Sequence, residues 1–199
     1  VAMLRGDGVS PLLYGATWYY FERELGYPFG AINTGDLNGT NLDNYDVLVM
    51  QELRGGIGDS EMEKVVDWVS AGGKLITIGA SMRKFVDSDY VKLSKFGSDD
   101  EKKAAKSTEE KRDERWKAAP YNMSQRESAK EMIPGAIFKV DLDNTHPLAY
   151  GYGPYMYSLK TSSSRYGYLD YQNVGTIKSA SSHMSGFVGQ YVKQDVGQS

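Results

Sequence analysis

The sequence is marked first by residues that are missing. Its 199 residues include no cysteine and only two histidines, His146 and His183. The missing thiols exclude disulfides, cysteine nucleophiles, cysteine zinc sites and iron–sulfur clusters within this chain. A three-histidine metal site is excluded as well, and neither histidine begins a His-x-x-Glu pair. We therefore expect no metal site and no cofactor in this chain.

A surplus of charge and a long apolar run are also missing. The 23 Lys and Arg residues nearly balance the 26 Asp and Glu residues, which leaves a formal net charge of −3. A protein that binds nucleic acid through phosphates needs a basic surplus to displace counterions, so we expect no nucleic-acid partner. No run approaches the roughly 18 apolar residues that a transmembrane helix needs, so we expect no membrane span.

The first ninety residues alternate strand and helix patterns. Strands are predicted over 1–5, 29–33, 45–50 and 74–78. Ser10 and Pro11 form a helix start, with serine as the N-cap and proline in the first turn, and this helix is predicted to run to Leu25 and to stop at Gly26. A second helix is predicted to be capped by Asp59 or Ser60. Repeated β-α units of this length imply right-handed crossovers and a parallel sheet, so the predicted fold class is α/β.

A charged stretch follows these units. Between Asp99 and Lys117, seven acidic residues are interspersed with seven basic ones. Mixed signs at helical spacing indicate an exposed helix or a mobile excursion, without a net field that could hold an anion. We predict a charged helical insertion over 95–131, within a single domain that covers 1–199. A partner-binding helix is the other interpretation of this stretch.

From Gly135 onward the pattern predicts a strand-rich C-terminal part. Residues 136–142 alternate with a period of two, and three tyrosine pairs keep that spacing. The pairs are Tyr150 and Tyr152, Tyr155 and Tyr157, and Tyr166 and Tyr168. Each pair is predicted to project from one face of a strand. Tyrosines at this density can stack on sugars or grip a peptide, although half-buried sheet residues are the commoner case.

Polar residues follow the first and third predicted strands. Asp7 comes after the first, and Glu52 and Arg54 come after the third. In a doubly wound sheet, ligands bind beyond the carboxyl ends of the strands where the strand order reverses, so these three are candidate ligand-binding residues. A dinucleotide site is excluded, because Pro11 stands where the fingerprint needs its third glycine and Asp7 repels phosphate.

The turn after the fourth predicted strand is similar to a nucleophile elbow, which exposes a serine or cysteine above the sheet. In Gly79-Ala80-Ser81-Met82-Arg83 the arginine replaces the glycine that the motif requires. His146 is the available base, but no acid follows it two residues later. A serine nucleophile needs a base that a carboxylate orients. Ser81 is therefore predicted to lie at a helix N-terminus, and a catalytic pair of Ser81 and His146 is the alternative.

Five segments together carry a family resemblance. They are LRGDGVS (4–10), FERELGYP (21–28), YDVLV (45–49), WVSAGGKLI (68–76) and PGAIFKVDLDNTHPL (134–148). In this order they resemble the C-terminal domain of large bacterial zinc carboxypeptidases of the carboxypeptidase A-like (funnelin) class. That domain is similar to class I glutamine amidotransferases. The resemblance implies a flavodoxin-like three-layer sandwich with a mainly parallel sheet.

The resemblance also implies the biological setting. The parent would be a secreted or periplasmic hydrolase that trims peptides from their C-terminus with zinc. Its zinc ligands and catalytic glutamate would lie in an upstream peptidase domain of the same polypeptide, which is the expected partner of this chain. The opening at Val1 and the ending at Ser199 likewise indicate a fragment of a longer protein.

Amidotransferase chemistry does not carry over to this chain. The Gly79-Ala80-Ser81 turn replaces the cysteine elbow, and His146-Pro147-Leu148 replaces the His-x-Glu pair. We therefore expect a non-catalytic accessory domain that supports the peptidase domain or helps to bind peptide or cell-wall substrate. Two alternatives stay open: a small serine hydrolase that uses Ser81 and His146, and a stand-alone carbohydrate- or peptide-binding module.

Overall fold

The chain divides into two compact units. The computed structural model describes residues 1–86, 88–91, 120–164, 166–169 and 171–196, together with residues 93, 110, 114 and 117. The units are Val1–Lys92 and Leu93–Ser199. Most of the predicted charged insertion over 95–131 lies outside the described residues. The single domain over 1–199 stays a prediction.

The first unit is built on a parallel sheet of four strands. They are β1 (Ala2–Arg5), β2 (Gly30–Asn33), β3 (Val47–Met50) and β4 (Lys74–Thr77). Their order is β2-β1-β3-β4, and every neighbouring pair is parallel. The predicted α/β class is confirmed, and each predicted strand is present, shortened at one end.

The first helix begins as the sequence predicts but ends differently. Helix α1 (Pro11–Tyr19) starts after Ser10, whose hydroxyl accepts the Leu13 N–H at 3.5 Å. The chain then continues through a π-helical turn over Tyr20–Glu24, in which the Leu25 N–H donates to the Tyr20 carbonyl at 3.0 Å. This π-helical turn replaces the last part of the predicted α-helix. It is wider than an α-helical turn, because each hydrogen bond spans one residue more. All side chains of α1 are partly or fully exposed.

Helix α2 (Asp59–Ser70) covers the core of the first unit. It buries Met62, Val65 and Trp68 in a cluster that also holds apolar residues of β1 and β3. The N-cap is Gly58, so the predicted cap at Asp59 or Ser60 is wrong. The Glu61 carboxylate accepts the Gly58 N–H at 3.0 Å, which satisfies a free donor of the first turn from within the helix.

The second unit holds an antiparallel sheet, in agreement with the predicted strand-rich part. Its strands are β5 (Gly135–Leu142), β6 (Tyr155–Lys160), β7 (Gly175–Thr176) and β8 (His183–Phe187). Strand β5 pairs with the other three. Two short helices, α3 (Ser124–Ala129) and α4 (Gln190–Val196), belong to this unit. Its core contains Ile133, Ala136, Phe138 and Val192.

The three tyrosine pairs have different outcomes. Tyr155 and Tyr157 project from one face of β6, as predicted. The prediction is wrong for the other two pairs. Tyr150 and Tyr152 flank a turn at Gly151, which has a φ of +88°, and Tyr166 and Tyr168 lie in a described stretch without regular structure. A spacing of two does not distinguish a strand from a turn that a glycine creates.

Candidate functional site

The loops after β1 and β3 lie side by side at the carboxyl ends of these strands. Here the strand order reverses, which is where doubly wound sheets open a crevice for ligands. Val9 and Leu53 form an antiparallel bridge between the loops. The Arg54 N–H donates to the Gly8 carbonyl at 2.8 Å, and the Ser10 N–H donates to the Glu52 carbonyl at 3.0 Å. The loop of Asp7 is thus tied to the loop of Glu52 and Arg54.

Two glycines make this close approach possible. Gly8 and Gly56 have φ values of +79° and +77°, which disfavour residues with a side chain. A Cβ atom at Gly8 would overlap the Gly55 carbonyl, and one at Gly56 would overlap the Asp7 carbonyl. The backbone of each loop therefore occupies the space that a side chain on the glycine of the other loop would need.

A cleft of about 430 Å³ opens beside the two loops. Its lining consists of Glu52, Leu53, Arg54, Gly55, Ala80, Arg83 and Lys84. The Arg54 Nε donates to Glu52 Oε1 at 3.0 Å, and the Arg54 side chain is 76% exposed. With Arg83 and Lys84 as further cations, positive charge exceeds negative charge in this lining. The cleft therefore favours an anionic ligand group over a cationic one.

Two of the three candidate ligand-binding residues line the cleft and the third does not. Glu52 and Arg54 line the cleft, whereas Asp7 lies outside the lining that the described residues form. The Asp7 carbonyl accepts the Thr34 hydroxyl at 3.0 Å, so this residue joins the loop after β1 to the end of β2. Sequence reasoning missed the lining role of Arg83 and Lys84. Their place in the turn after β4, at the same edge of the sheet, was the available signal.

Ser81 is fully buried in the 3₁₀ helix Gly79–Lys84. Its hydroxyl oxygen lies 2.9 Å from the Met50 carbonyl oxygen and 3.0 Å from that of Ile78. The single hydroxyl proton therefore has two acceptors inside the protein. A serine nucleophile needs an accessible hydroxyl whose proton a base can remove. This environment favours a structural role for Ser81.

His146 takes part in local structure in the second unit. It precedes the 3₁₀ turn Pro147–Ala149, and its Nδ1 accepts the Leu148 N–H at 3.2 Å. The His146 N–H donates to the Asp143 carbonyl at 3.1 Å. One ring nitrogen is thus occupied by capping, and Ser81 belongs to the other unit.

The Asp143 carboxylate is the acceptor of a small hydrogen-bonded turn. The Thr145 hydroxyl donates to its Oδ1 at 2.6 Å and the Thr145 N–H at 3.0 Å. These two hydrogen bonds, the hydroxyl's first, hold the pKa of Asp143 below its ordinary value. The group is exposed, and its hydrogen bonds serve the turn that positions His146.

A metal-binding cluster and a membrane-spanning helix are both missing from the part of the chain that the structure describes. Among the described residues, no three His, Asp or Glu side chains are grouped so that they could hold a metal ion. Within the same residues, no helix has both the length and the apolar character that crossing a membrane requires. In comparisons with protein-family models, curated proteins and solved structures, nothing matches the chain.

Proposed function

We propose that this chain is a non-catalytic, amidotransferase-like accessory domain of a secreted or periplasmic zinc metallocarboxypeptidase. It supports an upstream peptidase domain or helps that domain to bind peptide or cell-wall substrate. The observation that carries the non-catalytic role is the buried Ser81 hydroxyl, hydrogen-bonded at the turn where an elbow would present its nucleophile. The link to a zinc peptidase is supported by the resemblance of the five sequence segments.

Two features of the first unit support the amidotransferase-like part of the proposal. The order β2-β1-β3-β4 corresponds to the first four strands of the flavodoxin-like order 2-1-3-4-5. The cleft lined by Glu52, Ala80 and Arg83 lies at the carboxyl ends of β3 and β4, beside the elbow-like turn. A glutaminase forms its thioester through a thiolate, and this chain has no cysteine to supply one.

The reading frame upstream of Val1 gives the most direct test. We expect a His-x-x-Glu motif followed by a distant histidine, because this spacing supplies the zinc ligands of the implied peptidase. An upstream region without zinc ligands would overturn the link to a metallopeptidase. In that case the cleft of Glu52 and Arg54 would be the first place to search for an independent activity.

Deleting this chain from the parent enzyme tests the accessory role. The full-length enzyme and the deletion variant should be compared for zinc content, thermal unfolding and C-terminal trimming of a panel of peptides. We expect the deletion variant to retain zinc but to lose stability or part of its substrate range. A deletion variant with unchanged stability, activity and substrate range would contradict the accessory role.

A fluorophosphonate probe tests the serine hydrolase alternative on the chain itself. We expect no covalent labelling, since the Ser81 hydroxyl is buried and both of its contacts are to carbonyl oxygens. The matched control is Ser70→Ala, at the exposed end of α2. If the wild type is labelled, and Ser81→Ala abolishes the labelling while Ser70→Ala does not, the serine hydrolase alternative would be supported.

A binding module is the second candidate function, and the tyrosines of β6 favour it. Tyr155 and Tyr157 are 44% and 55% exposed. Their rings meet edge to face with centroids 5.7 Å apart, and the Lys139 ammonium lies 4.3 Å from the centroid of the Tyr155 ring, so a sugar would stack on the Tyr157 ring. Titration with cell-wall muropeptides, followed by intrinsic fluorescence, should saturate if this role is correct. A response that Tyr157→Ser leaves unchanged would place binding elsewhere.

A further inference from the structure

Strand β6 forms an exposed edge of the sheet in the second unit. Among the described strands it pairs only with β5. Its side chains are exposed on both faces, with Met156 40% and Leu159 66% exposed. An edge strand presents a row of unpaired peptide groups to solvent, which makes it a template for another strand.

The hydrogen-bond pattern shows which peptide groups form that outer row. The Leu142 N–H donates to the Pro154 carbonyl at 2.9 Å, so these residues are a hydrogen-bonded pair of the antiparallel ladder. Such pairs recur at every second residue, which makes Val140–Met156 and Phe138–Ser158 the next ones in the observed register. The N–H and C=O groups that point away from β5 are therefore those of Tyr155, Tyr157 and Leu159.

This outer row lacks the usual protection against pairing. Natural edge strands are blunted by charges, prolines or bulges. Residues 155–159 contain neither a charge nor a proline, and the β5–β6 register runs without a shift. Pro154 lacks an N–H, but at that position the peptide group faces β5. The outer row of donors and acceptors is therefore intact along the strand.

We propose that β6 pairs with β6 of a second copy of this chain, antiparallel about a two-fold axis at Tyr157. In this register Tyr155 faces Leu159 of the partner subunit, and the two Tyr157 side chains face each other. Outward peptide groups then meet outward peptide groups, which forms about six hydrogen bonds between the chains. A two-fold axis needs such a self-complementary patch.

Side-chain chemistry favours a second copy over an unrelated extended peptide. With the axis at Tyr157, the exposed side chains of Tyr155, Tyr157 and Leu159 each face another exposed side chain of this set. Such cross-strand pairs stabilise antiparallel ladders. Lys160 is the only charged residue of the strand, and it faces Pro154 of the partner subunit. No like charges meet. The contact is smaller than a standard interface, so the association is weak and depends on concentration.

Analytical ultracentrifugation of the 199-residue chain tests this pairing. The weight-average mass of the wild type should rise toward twice the monomer mass between about 1 μM and about 1 mM. Tyr157→Lys and Tyr157→Glu should each remain monomeric, because two like charges then meet at the axis. An equimolar mixture of the two variants should associate again, since opposite charges face each other. Tyr150→Lys is the matched control, as Tyr150 is 67% exposed and lies outside β6.

Circular dichroism must first show that each variant keeps the wild-type spectrum. A wild type that stays monomeric over the whole range would overturn the proposal. Association that Tyr157→Lys leaves unchanged would place the contact on another surface, and a mixture that stays monomeric would exclude the two-fold register. A monomeric wild type that binds an extended peptide at β6 would assign the edge to peptide recognition instead.

Discussion

The Ser81 hydroxyl lies 2.9 Å from the carbonyl oxygen of Met50, so it joins the turn after β4 to the end of β3. Ser81 is fully buried, and the same Met50 carbonyl also accepts the Ile78 N–H at 2.9 Å. The turn after β4, which the sequence makes similar to a nucleophile elbow, is closed by this hydrogen bond within the protein. The geometry that argues against catalysis also predicts how this residue stabilises the fold.

Ser81→Ala is expected to lower the free energy of unfolding by about 1 kcal/mol, because one buried hydrogen bond is lost while the Met50 carbonyl keeps its bond from Ile78. Urea unfolding followed by tryptophan fluorescence measures the change. Ser70→Ala, at an exposed helix end, should change stability by less than about 0.5 kcal/mol. Equal stability of wild type and Ser81→Ala would contradict the role as a structural hydroxyl.

Gly56→Ala is expected to destabilise the first unit by about 2 kcal/mol or more. Gly56 has a φ of +77°, and a Cβ there would overlap the Asp7 carbonyl, so the loops after β1 and β3 must separate. Gly55→Ala is the matched control, because a Cβ at Gly55 meets no atom within 4 Å. Urea midpoints of both variants give the comparison. A Gly56→Ala variant no less stable than Gly55→Ala would show that the loops can part at no cost.

The elements of the first unit could be predicted because their signals are local. Val47–Met50 is an apolar run that needs cover on both faces, and Ser10 with Pro11 specifies a helix start by cap chemistry. The N-cap of α2 was harder to predict, because the N-cap residue itself supplies no side chain. The Glu61 carboxylate inside the helix accepts the Gly58 N–H, and the glycine has no side chain that would mark it as the cap in the sequence.

The candidate site was predictable only in part, for a related reason. The carboxyl ends of parallel strands lie at the same edge of a sheet, so the sequence could place the loops of Asp7 and Glu52 at one edge. Which side chain lines the cleft depends on pairing across loops, such as the Thr34 hydroxyl that holds the Asp7 carbonyl. Burial of Ser81 is likewise a tertiary property, since the acceptor Met50 lies thirty-one residues away in sequence.

Lys64→Met is expected to lower the free energy of unfolding by about 1–3 kcal/mol. The Lys64 ammonium donates to the carbonyls of Asn38 and Thr40, both at 2.6 Å, and so fastens α2 to the loop after β2. Methionine keeps the apolar stem and removes both charge-assisted hydrogen bonds. The exposed Lys74→Met is the control and should have a much smaller effect. If thermal or urea unfolding gives equal values for the two variants, the Lys64 contacts contribute nothing to stability.

Thr145→Val is expected to raise the pKa of Asp143 toward its ordinary value without reaching it, because the Thr145 hydroxyl bond is lost while the Thr145 N–H bond remains. A carboxyl whose folded pKa is lowered stabilises the fold fully above its unfolded pKa of about 4. That contribution is lost as the pH falls through the folded value. Carbon-detected NMR titration of the Asp143 carboxyl measures the shift, and Thr161→Val, an exposed change outside this turn, should leave it unaltered. An Asp143 pKa that is the same in Thr145→Val and wild type would mean that the hydroxyl does not hold the carboxylate.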